Sequence, residues 1–254
     1  MKKEIETFVL PSKEEINARY SFDPKYWIDR GDYLLHSAHQ GTTEWAAERL
    51  YRLTTSNFGP ALGLGTHDSV IGVAMSITNV KSKSFVERGK FTKAHGVITE
   101  PEAREWYCKS RNVQVSEVGL AVPKWEPRIG TSLDGDIIGT DGIIEIKSPM
   151  QMYEPLDEHI NKVRTGWRPP PFYHTHIWDT HYAQMQGEMK ITGKKWCDYI
   201  VFAKQSNRVY VERIPFNQKY WDETLWPGIQ HFLDDYMEPL IAQGFNSHLF
   251  KITQ

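Results

Sequence analysis

Two short stretches concentrate the residues whose types and spacing could do chemistry. The first is Ser132-Leu133-Asp134-Gly135-Asp136, and the second, Glu145-Ile146-Lys147-Ser148-Pro149, begins eleven positions after Asp134. Side chains alternate along a strand, so Glu145 and Lys147 share one face while apolar Ile146 takes the other. A hairpin signalled by Asp141-Gly142 would fold Asp134 back beside Glu145. Two hard oxygen ligands would then converge on one point, a donor set suited to Mg²⁺ or Mn²⁺. Such a cation turns a water into a nucleophile and neutralises a phosphate, and Lys147 beside it would orient that water or stabilise charge on an attacked phosphodiester. Taken alone, a Glu and a Lys at this spacing on a strand are most often a solvated edge or a cross-strand salt bridge. A calcium loop is rejected: counted from Asp134, its fifth position is Ile138 and its eighth is Asp141, and its flanks read as strands rather than two helices.

The elements that must position these residues follow from periodicity. Residues 1–40 carry mixed charge, Pro11, Pro24 and scattered aromatics, which predicts an N-terminal extension with at most short helices. Thr42 or Thr43 caps a helix that carries Trp45, Arg49 and Leu53 on one face and Glu44 at its positive end. Pro60, Gly63 and Gly65 then break the chain. A long helical pattern runs from Ser84 to Tyr107, and Pro101 is expected to kink or restart it. Residues 113–122, 129–137 and 143–146 read as a three-strand antiparallel meander, the last two joined at Asp141-Gly142. Residues 151–178, with Pro169-Pro170-Pro171 and the cations Lys162, Arg164 and Arg168, are too long for a plain connection. Tyr182, Met185, Gln186 and Met189 recur at helical spacing up to Gly193. Strands over 196–203 and 208–214 flank a Gln205-Ser206-Asn207 turn, and an amphipathic helix covers 216–241. Without internal repeats or a hydrophilic linker, this order favours one α/β domain.

Composition narrows the class. The chain has 254 residues, 40% apolar and 24% charged, with 9 Trp, 12 Tyr and 11 Phe, which excludes disorder of the whole chain. The longest apolar stretch, Val70 to Ile77, is far too short to span a bilayer. Met1-Lys2-Lys3 leads into Glu4 and Glu6 rather than a secretory apolar region, so an intracellular protein without signal peptide or membrane span is expected. Cys108 and Cys197 fit neither a disulfide framework nor zinc spacing and are expected as buried apolar fillers. His174, His176 and His181 lack matching cysteines and read as loop histidines. The net charge of −2 argues against a polybasic nucleic-acid binder, but residues 81–111 hold eight Lys/Arg against four Asp/Glu. Residues 190–213 hold six against two. These stretches suit two solvated faces or a basic groove for a polyanion.

Five motifs, in order from Trp45 to Leu240, carry a resemblance. They are Trp45, Arg49, Thr54 and Ser56; Gly96 to Glu100 with Pro101 and Ala103-Arg104; Ser132-Leu133-Asp134-Gly135; Glu145-Ile146-Lys147-Ser148-Pro149; and Ala183-Gln184-Met185-Gln186 followed by Thr192-Gly193. Together they resemble the YqaJ-type viral recombinase family, the lambda-exonuclease type, within the PD-(D/E)XK nuclease superfamily. The resemblance implies an α/β restriction-endonuclease-like core, with a mixed, partly antiparallel central sheet flanked by helices, as a single nuclease domain over 41–254. It implies that Asp134, Glu145 and the Ile146 carbonyl ligate the metal and that Lys147 assists the water. Glu100 would approach directly or through a water, and Gln184 would contact the site with Gln186 as its neighbour. Arg49 and Ser56 would hold the phosphate of a DNA end, with Gln186 also among the residues that bind the DNA substrate. Taken singly, Glu100 is an ordinary helix acid, Gln184 a polar helix face and Arg49 a partner for Glu48 or Glu44. The activity implied is a Mg²⁺-dependent 5′-to-3′ exonuclease on double-stranded DNA ends, with Mn²⁺ as a substitute, leaving 3′ single strands for recombination. Implied partners are a second and third copy of the chain in a ring and a single-strand-annealing recombinase. A structure-selective or restriction-like endonuclease and a nuclease-inactive DNA-binding module are the rival readings, the latter disfavoured because no metal-site residue is missing.

Overall fold

The computed structural model describes residues 10–64, 69–78, 90–148, 177–204 and 208–242, with side chains for all of these except 90–98. Along the chain lie α1 (Lys13–Ala18), β1 (Trp27–Asp29), β2 (Tyr33–His36), α2 (Thr43–Glu48), β3 (Leu53–Thr54), α3 (Phe58–Ala61), α4 (Val70–Ile77) and α5 (Lys90–Arg111). They are followed by β4 (Val115–Ser116), β5 (Ala121–Pro123), β6 (Ile129–Gly130), β7 (Gly135–Ile137), β8 (Gly142–Lys147), α6 (Asp179–Thr192), β9 (Trp196–Ala203) and β10 (Arg208–Pro215). A run of α- and π-helical turns over 218–242, here α7, completes the described chain.

The central sheet has the order β10-β9-β8-β7-β4. Only β8 and β9 are parallel, and the other pairs are antiparallel. A parallel pair needs a crossover, and α6 lies within that connection. This is the expected mixed, partly antiparallel sheet flanked by helices. The alternation in β8 decides where chemistry can occur. Ile144 and Ile146 pack with Ala103 and Tyr107 of α5 and with Ile200. Ile143 faces the opposite core, with Met185 of α6, Tyr199 and Phe232. By the two-residue period, Glu145 and Lys147 share the α6 side with Ile143. Each fully buried isoleucine contributes about 1.5–3 kcal/mol, so a one-residue slip of β8 would expose several of them and move Glu145 away from α6.

Several expectations need correction. The segment 129–137 is not one strand: Ile129–Gly130 pairs parallel with β3, and only Gly135–Ile137 joins the central sheet. The chain leaves that sheet in between, so the antiparallel meander is β4-β7-β8, with β5 paired to β2. The hairpin turns at Ile138 to Asp141, where Gly139 has φ +77° and the Thr140 N–H donates to the Ile137 carbonyl at 3.1 Å. Gly142 already belongs to β8. Thr42 does cap α2, its hydroxyl accepting the Trp45 N–H. That helix stops at Glu48 rather than reaching Leu53, and Tyr51 at φ 59° turns the backbone into β3. The helix through Pro101 neither breaks nor restarts. The buried pair Ala103 and Tyr107 holds its second half against β8 and β9, which outweighs one missing backbone bond.

The first forty residues contribute more than short helices. β1 and β2 form a three-stranded sheet with β5. Arg19, the C-cap of α1, donates to both carboxylate oxygens of buried Glu238 in α7, at 3.0 and 2.8 Å. On the other side, α6 is buried on nearly all its surface from Tyr182 to Thr192. It packs on α3 so closely that a Cβ at Gly187 would lie 2.4 Å from the Phe58 ring. Among the described residues no helix is long and apolar enough to cross a membrane.

Candidate active site

Pairing of β7 with β8 sets Gly135 against Ile144, which brings Asp134 opposite Glu145. The Asp134 carboxylate accepts the Ile146 N–H at 2.7 Å. Its backbone is clamped from two sides: the Asp134 carbonyl accepts from Arg104 Nε at 2.9 Å. The Leu133 carbonyl accepts from Gln40 Nε2 at 2.8 Å. Glu145 is 1% exposed. Its Oε1 accepts from Lys147 Nζ at 2.5 Å and from Gln184 Nε2 at 2.8 Å, while Oε2 is buried without a partner among the described residues. Gln184 closes the cluster from α6, with Oε1 accepting from Lys147 at 3.0 Å and Nε2 also donating to Glu188 Oε1 at 2.9 Å.

The electrostatics follow from enclosing like charges. Burial, then the charges of Glu145 and Glu100, push the Asp134 carboxyl well above the ordinary carboxylate range. Burial, followed by Glu145 and Asp134, does the same to Glu188. Burial opposes the charge on Lys147, yet Glu145 and Asp134 outweigh it and raise the ammonium's pKa. Glu100 is raised by burial, with Arg104 working against the shift, and its carboxylate is paired with Arg104 four residues along α5. Arg104 also pairs with Glu117. One guanidinium therefore joins Glu100 to the Asp134 backbone.

A second cluster lies two residues before Asp134. The Arg49 guanidinium sits 4.3 Å from the Trp45 ring centroid and donates to the Thr54 hydroxyl at 3.1 Å. It also reaches the Ser132 hydroxyl at 3.5 Å, to which Trp45 Nε1 donates at 2.9 Å. Ser56 is exposed, its hydroxyl 3.4 Å from that of Thr54. Glu48 pairs with Arg52 instead of Arg49. Burial, with no compensating anion among the described residues, lowers the Arg49 pKa to about 10. A half-buried cation surrounded by hydroxyls and an indole has the chemistry to bind an anion.

A profile of the YqaJ-like viral recombinase domain matches residues 44–195. The chain belongs to that family. The crystal structure of an alkaline exonuclease (LHK-Exo) from Laribacter hongkongensis is similar at 26% identity and TM-score 0.58, over 82% of this chain and 100% of that one. The same exonuclease in complex with dAMP gives 25% and 0.59 over the same shares. A phage related exonuclease from Haemophilus somnus aligns at 14% identity and TM-score 0.48, over 76% of this chain and 96% of that one. No curated protein is significantly similar. This YqaJ-like chain is a nuclease, hydrolysing phosphodiester bonds, and its fold agrees with a restriction-endonuclease-like core.

In this YqaJ-like site the donor set fits a divalent cation. Among the described residues no group of three or more His, Cys, Asp or Glu forms a metal cage by itself. Mg²⁺ does not require one, because it is held by one or two carboxylates and keeps several waters. Asp134, Glu145 and the Ile146 carbonyl match that need, and Glu145 Oε2 is a buried acceptor without a hydrogen-bond partner among the described residues.

Of the residues singled out by sequence, Asp134, Glu145, Ile146, Lys147 and Gln184 come together. Glu100 stands at the edge, paired with Arg104, and Arg49 and Ser56 form the adjoining cluster. Gln186 is the correction: it is fully buried, donating to the Pro215 carbonyl at 3.0 Å and accepting the Asn217 N–H at 2.7 Å. It ties α6 to the start of α7 rather than reaching a substrate. His181 is helical rather than in a loop, its Nδ1 2.9 Å from the Tyr199 hydroxyl. His174 and His176 lie outside the described residues. Cys197 is buried as expected, whereas Cys108 is half-buried. Sequence reasoning missed Glu188, Gln40 and the roles of Arg104 and Trp45. Glu188 had a signal, since it follows Gln184 by one helical turn and must share its face.

Proposed function

We propose that this nuclease is a Mg²⁺-dependent exodeoxyribonuclease that acts on double-stranded DNA ends, removing 5′-terminal nucleotides and leaving 3′ single strands for recombination. The observation that supports it most is the adjacency of the two clusters: Ser132 touches the Arg49 group, and Asp134, two residues on, carries the carboxylate of the other. An enzyme that hydrolyses the bond next to a terminal phosphate needs those two functions side by side. The dAMP bound by the similar alkaline exonuclease is the kind of product that removal of single nucleotides yields.

Asp134, Glu145 and the Ile146 carbonyl would hold the cation, with Glu100 reaching it through a water. When bound, Mg²⁺ lowers the pKa of a water and neutralises charge on the attacked phosphate. Lys147 stays an ammonium between Glu145 and Gln184, so it orients a water and stabilises negative charge instead of removing a proton. Gln184 holds Lys147 and Glu145 in register. Arg49, with the Ser56 and Ser132 hydroxyls, binds the terminal phosphate, which carries one more ionisable oxygen than an internal one. Mn²⁺ replaces Mg²⁺ in the same hard-oxygen set. The proposal extends to a homotrimer, which would concentrate the positive stretches around a duplex, and to delivery of the 3′ strand to a single-strand-annealing recombinase.

The test is digestion of 5′-labelled linear and circular duplexes by purified protein. Expected are labelled mononucleotides from linear DNA with Mg²⁺, none from circles, and none in chelator. Asp134→Asn and Glu145→Gln should each lose on the order of 10³-fold in rate while still binding DNA, because binding rests mainly on phosphate contacts. Cutting of circles would instead favour an endonuclease, and full activity in Glu145→Gln would overturn the site.

A further inference from the structure

We infer that Glu188 is a positioning residue that fixes the orientation of the Gln184 amide and, through it, the place of Lys147; this rests on the nuclease reading above. Glu188 lies on α6, one turn beyond Gln184, and is 0% exposed. Its Oε1 accepts from Gln184 Nε2 at 2.9 Å, and its Oε2 has no partner among the described residues. The Thr192 hydroxyl bonds the Glu188 backbone carbonyl, not its carboxylate. The side chain thus has one hydrogen bond to set against complete burial of two polar oxygens, an unfavourable balance by itself. A residue serving only to fill this space would be apolar.

What the carboxylate does is visible at Gln184. Lys147 can only donate, so the Gln184 oxygen must face it. The amide nitrogen then points the other way, and its two hydrogens go to Glu145 and Glu188. All three contacts hold only in this orientation. Without Glu188 one amide hydrogen is left buried and unpaired, and the amide keeps two of its three anchors. A full flip stays barred, since it would present N–H groups to the Lys147 ammonium and the amide oxygen to Glu145. The amide would instead tilt to satisfy that hydrogen, and the acceptor it offers Lys147 would shift with it.

Glu188→Gln retains an acceptor oxygen, whereas Glu188→Leu removes it at similar volume. Rates are measured on 5′-phosphorylated linear duplex with saturating Mg²⁺, alongside melting temperature and the same substitution in a Gln184→Ala background. Glu188→Gln should stay within about threefold of wild type. Glu188→Leu should lose about 10–100-fold in kcat, with KM for DNA unchanged and the melting temperature not lowered. In Gln184→Ala it should cause no further loss, because the residue it acts through is gone. Wild-type kcat in Glu188→Leu, losses that multiply in the double variant, an inactive but folded Glu188→Gln, or a fall in melting temperature that accounts for the lost activity would each overturn the inference. Absence of Mg²⁺-dependent cleavage in the wild type would instead overturn the nuclease site on which it rests.

Discussion

Arg49→Ala separates a phosphate pocket from a structural arginine, because the two roles predict opposite effects on stability. An arginine that supports the fold through an ion pair destabilises the protein when removed. Here the guanidinium has hydroxyl and aromatic neighbours, and its pKa stands at about 10 rather than 12.5 because burial is not offset by an anion. That difference corresponds to roughly 3 kcal/mol held against the charged form in the free protein. Removing the side chain relieves it, while losing about 1 kcal/mol from the Thr54 hydrogen bond and about 0.5–1 kcal/mol from stacking on Trp45. The melting temperature should therefore hold or rise.

A terminal phosphate supplies an anion, and charge-assisted hydrogen bonds of this kind are worth about 1.5–3 kcal/mol, which amounts to on the order of 10–100-fold in rate. The assay compares digestion of 5′-phosphorylated and 5′-hydroxyl duplexes of one sequence. Wild type should prefer the phosphorylated end by that order, and Arg49→Ala should lose the preference by slowing on the phosphorylated substrate alone. Equal rates on both ends in the wild type, or an unchanged preference in Arg49→Ala, would show that the end is read elsewhere. A large fall in melting temperature would show that Arg49 is a structural residue after all.

Three other outcomes are expected. Asp134 is a carboxyl raised in the folded state, so the folded protein keeps a proton that the unfolded chain has already released. Metal-free stability should then fall as pH rises above the ordinary carboxylate range, with Mg²⁺ reversing the fall and Asp134→Asn reducing it to what Glu188 and Glu100 contribute. Thermal melts with and without chelator check this, and a flat metal-free profile would refute it. Gly187→Ala places a Cβ 2.4 Å from the Phe58 ring and should cost about 1–3 kcal/mol by overpacking, read as a lower denaturation midpoint; an unchanged midpoint would refute the close packing of α6 on α3. Light scattering should give three times the 29.5 kDa chain mass, and a monomer that retains full activity would refute the ring.

The strand pair that carries the candidate site was legible because it is local. Asp134, the turn, and the alternation of Ile143 to Lys147 all fall within fifteen residues, and the hydrophobic period of β8 alone dictates which face Glu145 takes. Strands β9 and β10 were equally plain, each a run of β-formers bounded by turn residues. The segment 129–137 was not. Its Ile129 and Ile137 look like ends of one strand, yet they pair with different sheets, and nothing local says that Ile129 belongs beside Leu53. The first forty residues failed for the same reason, since a three-residue strand such as β1 has no periodicity to detect and exists only because β5 lies beyond β2.

The site divides along the same line. Acids and the lysine announce themselves by type, whereas the groups that aim them do not. Gln40 bonds a backbone carbonyl 93 residues away, and Arg104 bonds one 30 residues away; neither pairing leaves a spacing to read. Both act on the backbone that carries Asp134 rather than on its carboxylate. The arrangement is consistent with what two crowded carboxylates require before a cation arrives. Their mutual repulsion would spread the hairpin if only side chains held it, and main-chain anchors on both sides of Asp134 resist that force without occupying the oxygens a metal needs.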